Sequence, residues 1–145
     1  MKNLILATDS YKITHPKQYP KNVTYMHDYI ESRGGLYGYT KFFGLQYYLK
    51  EYLSKKITSE MIDEAKEICT LHGLPFYEEG WRYIVENLHG KLPLRIRAVP
   101  EGAVVKNHNV LVTVESTDKN VPWIVGWAET MLLKVWYPIT VATFS

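Results

Sequence analysis

Residues 92–102, LPLRIRAVPEG, alternate between apolar and charged side chains and end in a Pro-Glu-Gly turn. Leu92, Leu94, Ile96 and Ala98 fall on one face, Arg95 and Arg97 on the other, which is the period of a strand with one buried and one wetted side. Two more strands are predicted near 103–106 and 110–115, joined through Asn107-His108-Asn109. Strands so close in sequence pair antiparallel, because a parallel neighbour needs a long crossover. Whatever else this chain builds must therefore pack against an antiparallel cluster.

The flanking segments follow a helical period. Phe42, Leu45, Leu49 and Leu53 are spaced by three and four and share one face of a predicted helix beginning at Phe42. A second helix is expected from about Ser59, capped by Thr58 or Ser59 and stopped by Gly73, with Met61, Ala65, Ile68 and Cys69 as its buried stripe. A third, about 78–88, buries Trp81, Ile84, Val85 and Leu88 and ends before Gly90. In the last, Asn120 caps a helix running through Trp123, Trp127, Met131 and Val135 until Pro138 interrupts it. Residues 23–32 alternate loosely and read as a strand, and GGLYGYTK after them as a flexible loop. The order strand, helices, antiparallel strands, helix predicts an α+β fold rather than alternating βαβ units.

At 145 residues, 46% of them hydrophobic, the chain is long enough for one compact domain over 1–145 and too short for two ordinary ones. The net charge of +2 lacks the basic footprint of a dedicated nucleic-acid binder. Cys69 is the only cysteine, which excludes an internal disulfide framework and suits a reducing, cytoplasmic compartment. The apolar run after Met1-Lys2-Asn3 is too short for a signal-peptide core, and no stretch approaches the roughly 20 apolar residues of a membrane span. A soluble protein is expected.

Several chemistries have no motif here. There is no GxxxxGK[ST], no GxGxxG and no GxSxG. His15, His27, His72, His89 and His108 have no partner at metal-ligand spacing, and Gly34, Gly35 and Gly38 read as a loop rather than a phosphate cradle. No complete catalytic constellation can be assembled.

What remains is the opening stretch, ATDSYKITHPKQYP at 7–20, which brings an aspartate, a serine, a tyrosine, a lysine and a histidine together. On residue type alone, Asp9 reads as the N-cap of a turn over Ser10 to Lys12, Tyr11 as one of 12 tyrosines, and Arg33 as a solvated strand end. Arg95 and Arg97 read as a solvent-facing strand edge. Taken in order and spacing, however, ATDSYKITHPKQYP, YIESR at 29–33, FFGLQYYL at 42–49, LPLRIRAVPEG at 92–102, NVLVTVESTD at 109–118 and WYPITVATFS at 136–145 resemble the N-terminal region of the nicotinamide phosphoribosyltransferase family.

That resemblance implies a type II phosphoribosyltransferase, a pentosyl-transferring glycosyltransferase. It joins nicotinamide to 5-phosphoribosyl 1-diphosphate, releases diphosphate and yields nicotinamide mononucleotide for NAD salvage. It implies a homodimer with active sites at the subunit boundary. Tyr11 is then the aromatic that reaches across to stack on nicotinamide bound by the neighbouring subunit, with Asp9 nearby, and Arg33 lies toward the diphosphate. Lys12 and His15 belong to the same motif without an assigned role. Tyrosine suits stacking because it offers a rigid π-face, and arginine suits diphosphate because its planar fork matches phosphate oxygens.

The resemblance also implies a hammerhead-like antiparallel strand cluster packed with helices. The barrel domain, with the ribose-phosphate loop, the second aromatic of the nicotinamide sandwich and the catalytic histidine and aspartates, would lie beyond Ser145. No catalytic residue and no metal ligand is then expected in this chain; magnesium would accompany the diphosphate substrate in the complete enzyme. The closing residues TVATFS read as the approach to a further element. The loop between Arg33 and Phe42 looks shorter than in animal members, as in a bacterial or phage relative. Two other readings stand beside this one: a free-standing regulatory module that pairs with a full-length enzyme through an exposed Tyr/Trp surface, and a tyrosine-rich single-strand nucleic-acid binder, which the near-neutral charge disfavours.

Overall fold

The structure, a computed structural model, describes residues 3–33 and 36–135. In chain order its elements are α1 (Ser10–Thr14), β1 (His27–Glu31), β2 (Tyr39–Lys41), α2 (Leu45–Tyr48), α3 (Ser59–Leu71), α4 (Glu78–Asn87), β3 (Leu94–Ala98), β4 (Val104–Lys106), β5 (Val110–Ser116) and α5 (Ile124–Lys134). The fold is α+β with antiparallel strands, as the alternation at 92–102 requires.

The strands form two sheets rather than one cluster. β5 lies at the centre of the larger, in the order β1-β5-β3, with both neighbours antiparallel to it. The pleat divides the residues by face. Ile30 pairs with Val112 and Ile96 with Val114, and Ile30, Val112 and Val114 are buried. The opposite face carries the rows His27–Glu115–Arg95 and Tyr29–Thr113–Arg97. Arg95 donates to the Glu115 carboxylate at 3.2 Å, so the expected solvent-facing edge holds. Leu94 and Ile96 are half-buried, but Ala98 at the strand end is exposed.

β2 and β4 pair only with each other. Thr40 and Val105 face inward, while Tyr39, Lys41, Val104 and Lys106 face water. The sequence suggested a loop through this region; residues 39–41 are a strand instead, because β4 offers them a ladder that nothing local reveals. Gly34 and Gly35 lie outside the described residues, as does the whole of 136–145 with Pro138.

The helices follow their expected spans with three corrections. The segment read as a helix from Phe42 begins at Leu45, after Gly44 in a left-handed conformation, and passes into a π-helical turn over Leu49–Leu53. Its start is held by Glu101, whose carboxylate accepts from the Gly44 and Gln46 amides at 2.8 and 2.9 Å. In α3, Thr58 caps the helix as expected by accepting from the Met61 amide, yet the buried stripe is Ile62, Ala65 and Cys69, with Met61 and Ile68 only half-buried. Both stripes obey helical spacing, so only the packing partner fixes the rotation. Asn120 does not cap α5: its amide donates to Asp118 and its side chain to the Tyr83 hydroxyl, and Trp123 occupies the N-cap position.

α4 buries Trp81 and Ile84 and ends near Gly90, where φ is +78° and a Cβ would run into the Ile57 carbonyl. The Ile57 amide donates to the Gly90 carbonyl at 2.8 Å, tying the end of α4 to the start of α3. α5 is buried on more than one side, with Ile124, Val125, Ala128 and Leu132 all fully enclosed. It packs on the inner face of the larger sheet against β1 and β5. Trp81 stands edge-on between Trp123 and Trp127 at centroid distances of 4.9 and 5.3 Å. No helix of the described residues is long and apolar enough to cross a membrane.

Candidate functional site

The opening motif is mounted on α5. Ahead of it, Leu4–Leu6 form a single 3-10 turn whose first amide is capped by Asn3, and Asn3 also donates to the Met61 carbonyl at 2.7 Å. The Trp127 indole donates to the Ile5 carbonyl at 3.0 Å, so this turn is fixed from the core outward. Thr8 then donates toward the Trp127 carbonyl at 3.3 Å and lies at the same distance from the Thr130 hydroxyl.

α1 follows as a helix of five residues, too short to be stable by itself. Asp9 is its N-cap in backbone terms, with its carbonyl accepting from the Lys12 amide at 2.9 Å. The Asp9 carboxylate makes no capping bond. It accepts instead from the Thr130 hydroxyl on α5 at 3.2 Å. The α-helix stops at Thr14 because Pro16 has no N–H to continue it, and the chain tightens into a 3-10 turn over His15–Lys17.

The two faces of α1 differ completely. Its inner face carries Lys12, only 6% exposed, whose ammonium lies 3.2 Å from the Glu129 carboxylate. Asp28 of β1 is drawn into the same group of charges. Burial, and then repulsion from Glu129, hold the Asp28 carboxyl above its ordinary range, while Lys12 and His27 pull against them. Burial together with Asp28 and Glu129 likewise raises the Tyr19 phenol.

The outer face carries Tyr11, 56% exposed. Its ring is tilted against His15 at 5.2 Å, and His15 meets the Tyr19 ring edge-on at 6.4 Å. His15 thus bridges an exposed ring, Tyr11, and a half-buried one, Tyr19, that packs against the core. The Tyr11 phenol is raised above its ordinary value, first by partial loss of water and next by the Asp9 carboxylate beside it.

Arg33 is placed apart. It is exposed just beyond β1 and makes no ion pair among the described residues. Its base is firm, because Ser32 is buried, its carbonyl accepts from the His108 amide at 2.8 Å, and its hydroxyl lies 3.1 Å from the Asn107 side chain. Of the residues expected at a site, Asp9 and Tyr11 stand beside each other at the start of α1, and Arg33 stands on a different element, just past the end of β1.

A cleft of about 680 Å³ opens behind the segment that follows α1, lined by Lys17, Tyr19, Phe76, Tyr77 and Trp123. Asp9, Tyr11 and Arg33 do not line it. Their side chains stand on open surface. Among the described residues no group of three or more His, Cys, Asp or Glu is placed to hold a metal ion. The sequence reading missed Glu129 and Thr130, which hold the motif from α5, and Asp28, whose charge is felt beneath it.

Comparison with known proteins identifies the family. A family model described as nicotinamide phosphoribosyltransferase, N-terminal domain, matches residues 3–96. The chain is 56% identical over 143 residues to a nicotinamide phosphoribosyltransferase of Xanthomonas campestris pv. campestris (strain 8004), a match covering 99% of this chain and 31% of that protein. It is 29% identical over 160 residues to a nicotinamide phosphoribosyltransferase of Acinetobacter baylyi, covering 99% of this chain and 32% of the relative. The crystal structure of human nicotinic acid phosphoribosyltransferase shares the fold, with a TM-score of 0.63 at 19% identity over 90% of this chain and 25% of that one. The chain thus spans about a third of the length of the curated relatives it matches. It belongs to the nicotinamide phosphoribosyltransferase family and corresponds to the N-terminal domain of those enzymes.

Proposed function

We propose that residues 1–145 act as the N-terminal unit of a cytoplasmic, homodimeric enzyme that joins nicotinamide to 5-phosphoribosyl 1-diphosphate, forming nicotinamide mononucleotide and diphosphate for NAD salvage. In this reading the chain supplies one wall of a site shared between subunits. Tyr11 stacks on the nicotinamide ring held by the neighbouring subunit, Asp9 stands beside it, and Arg33 serves the diphosphate end. The observation that carries the reading is the Tyr11 ring, exposed on a short helix whose opposite face is fastened to the core through Lys12.

The chemistry suits these residue types. Breaking the ribose–diphosphate bond builds negative charge on the leaving group and positive charge on the sugar, and fixed cations and carboxylates around that bond stabilise both. A stacked tyrosine adds roughly 0.5–1.5 kcal/mol beyond area burial and holds the base in line for attack. Magnesium travels with the diphosphate substrate, and no residue of this chain is assigned to it.

The test is kinetic. In the complete enzyme, Tyr11→Ala is expected to raise KM for nicotinamide, by about tenfold on the scale of a lost stacking and positioning contact. The purified 145-residue chain is expected to form no nicotinamide mononucleotide. Unchanged kinetics in the variant would remove Tyr11 from the site, and turnover by the isolated chain would overturn the division of labour. The alternative of a module pairing through an exposed Tyr/Trp surface loses half its support, since Trp81, Trp123 and Trp127 are all buried.

A further inference from the structure

We propose that Lys12 is a positioning residue: the ion pair of its buried side chain with the half-exposed Glu129 sets the rotation of α1 on α5 and so aims the Tyr11 ring outward. The inference rests on the base-stacking role given to Tyr11 above.

The argument begins with what else could hold α1. Five residues make barely more than one turn, so helical hydrogen bonding leaves the segment's orientation open. Apolar contact is confined to one side of the segment, where Lys12, Ile13 and Pro16 stand against Ile5, Trp81, Trp123 and Trp127; within α1 Lys12 is the one buried residue and Ile13 is half-buried. The remaining fixings are polar and reach one short stretch of α5. Thr130 holds Asp9 and Thr8 at the start of α1, while Glu129 holds Lys12 one turn further on. The hydroxyl contacts at 3.2 and 3.3 Å fix where the segment enters. They leave the rotation about its axis to the second attachment, which is Lys12.

Two features make that attachment directional. The Lys12 ammonium is enclosed, so it cannot leave Glu129 for water without dragging the helix with it. Asp28 of β1 is close enough for the Lys12 charge to pull its carboxyl downward against burial and Glu129, so the ammonium feels carboxylates from two elements. Tyr11 is the neighbouring residue, about 100° around the helix from Lys12. Fixing one therefore fixes the other.

The experiment compares Lys12→Met, Lys12→Arg, Glu129→Gln and Tyr11→Ala in the complete enzyme. Steady-state kinetics in both substrates is combined with hydrogen exchange of peptides covering 9–17. Lys12→Met and Glu129→Gln are expected to speed exchange across 9–17 and to raise KM for nicotinamide about tenfold. KM for 5-phosphoribosyl 1-diphosphate and kcat at saturating nicotinamide stay within about twofold, and Lys12→Arg, which keeps the pair, recovers most of the loss.

Unaltered exchange in Lys12→Met would overturn the inference. So would a fall in kcat with both KM values raised together, which marks general damage, or faster exchange with an unchanged nicotinamide KM. The Tyr11→Ala enzyme separates the two layers. If it loses nicotinamide affinity while Lys12→Met does not, the positioning role fails alone; if neither changes, the stacking role fails and carries this inference with it.

Discussion

α5 and α1 lie against each other and are held by opposite means. α5 is enclosed by apolar groups, with Ile124, Val125, Ala128 and Leu132 all at 0% exposure. α1 buries a lysine and shows water a tyrosine. Apolar burial is strong and non-directional, which suits a support that must only stay in place. Ion pairs and hydrogen bonds stabilise less but fix angle and register, which suits the ring-presenting role proposed for α1. The lesson is that the presenting segment carries little stability of its own and takes its geometry from its neighbour.

The largest effect should come from breaking the support. Leu132→Ala removes a fully buried side chain of α5 and is expected to cost about 2–5 kcal/mol, read from denaturant unfolding. A cost near zero would mean that α5 is not the support described here. Because α1 hangs from Glu129 and Thr130, the same variant should also loosen residues 9–17.

A smaller effect of opposite sign tests the charge group beneath α1. The Asp28 carboxyl is held above its ordinary range, so the folded state binds that proton more tightly than the unfolded chain does. Its contribution to stability is then greatest at acid pH and is lost as pH rises through the ordinary carboxylate range and up to the raised value. Asp28→Asn is expected to melt a few degrees higher than the parent at neutral pH, with the two melting temperatures converging as pH falls toward 4. A difference independent of pH would show that ionisation of Asp28 is not the cause.

The smallest stability effect belongs to the residue with the largest proposed functional one. Tyr11→Ala removes a half-exposed ring that touches His15 and is expected to change unfolding free energy by no more than about 0.5 kcal/mol. A loss above ~2 kcal/mol would make Tyr11 a structural residue and erase the contrast with α5.

How much of this was legible in the sequence differs from element to element. The alternation at 92–102 specified β3, because a period of two has a single structural meaning in a run that short. Thr58 and Gly90 marked helix ends correctly, since capping and positive φ are local requirements. The strand at 39–41 was not legible, because three residues carry no period and their partner lies beyond residue 100. Nor was the buried stripe of α3, where Met61 and Ile62 are equally apolar and the facing surface decides between them.

At the candidate site the division is similar. The DSYK stretch identified Asp9 and Tyr11 through resemblance, but the sequence offered no reason to bury Lys12 or to direct Asp9 away from its own helix. Both outcomes depend on Glu129 and Thr130, and Asp9 and Thr130 are 121 positions apart.

What the chain determined by itself is local: periodicity, caps, turns and the motif that assigns it to its family. What only the tertiary structure decided is which charges gather beneath α1, which of its residues meet water, and that the Asp9 carboxylate bonds to α5 instead of capping its own helix. Local preferences arise from backbone sterics and hydrogen bonding within a few residues, whereas burial and electrostatics depend on groups that meet only after the chain has folded.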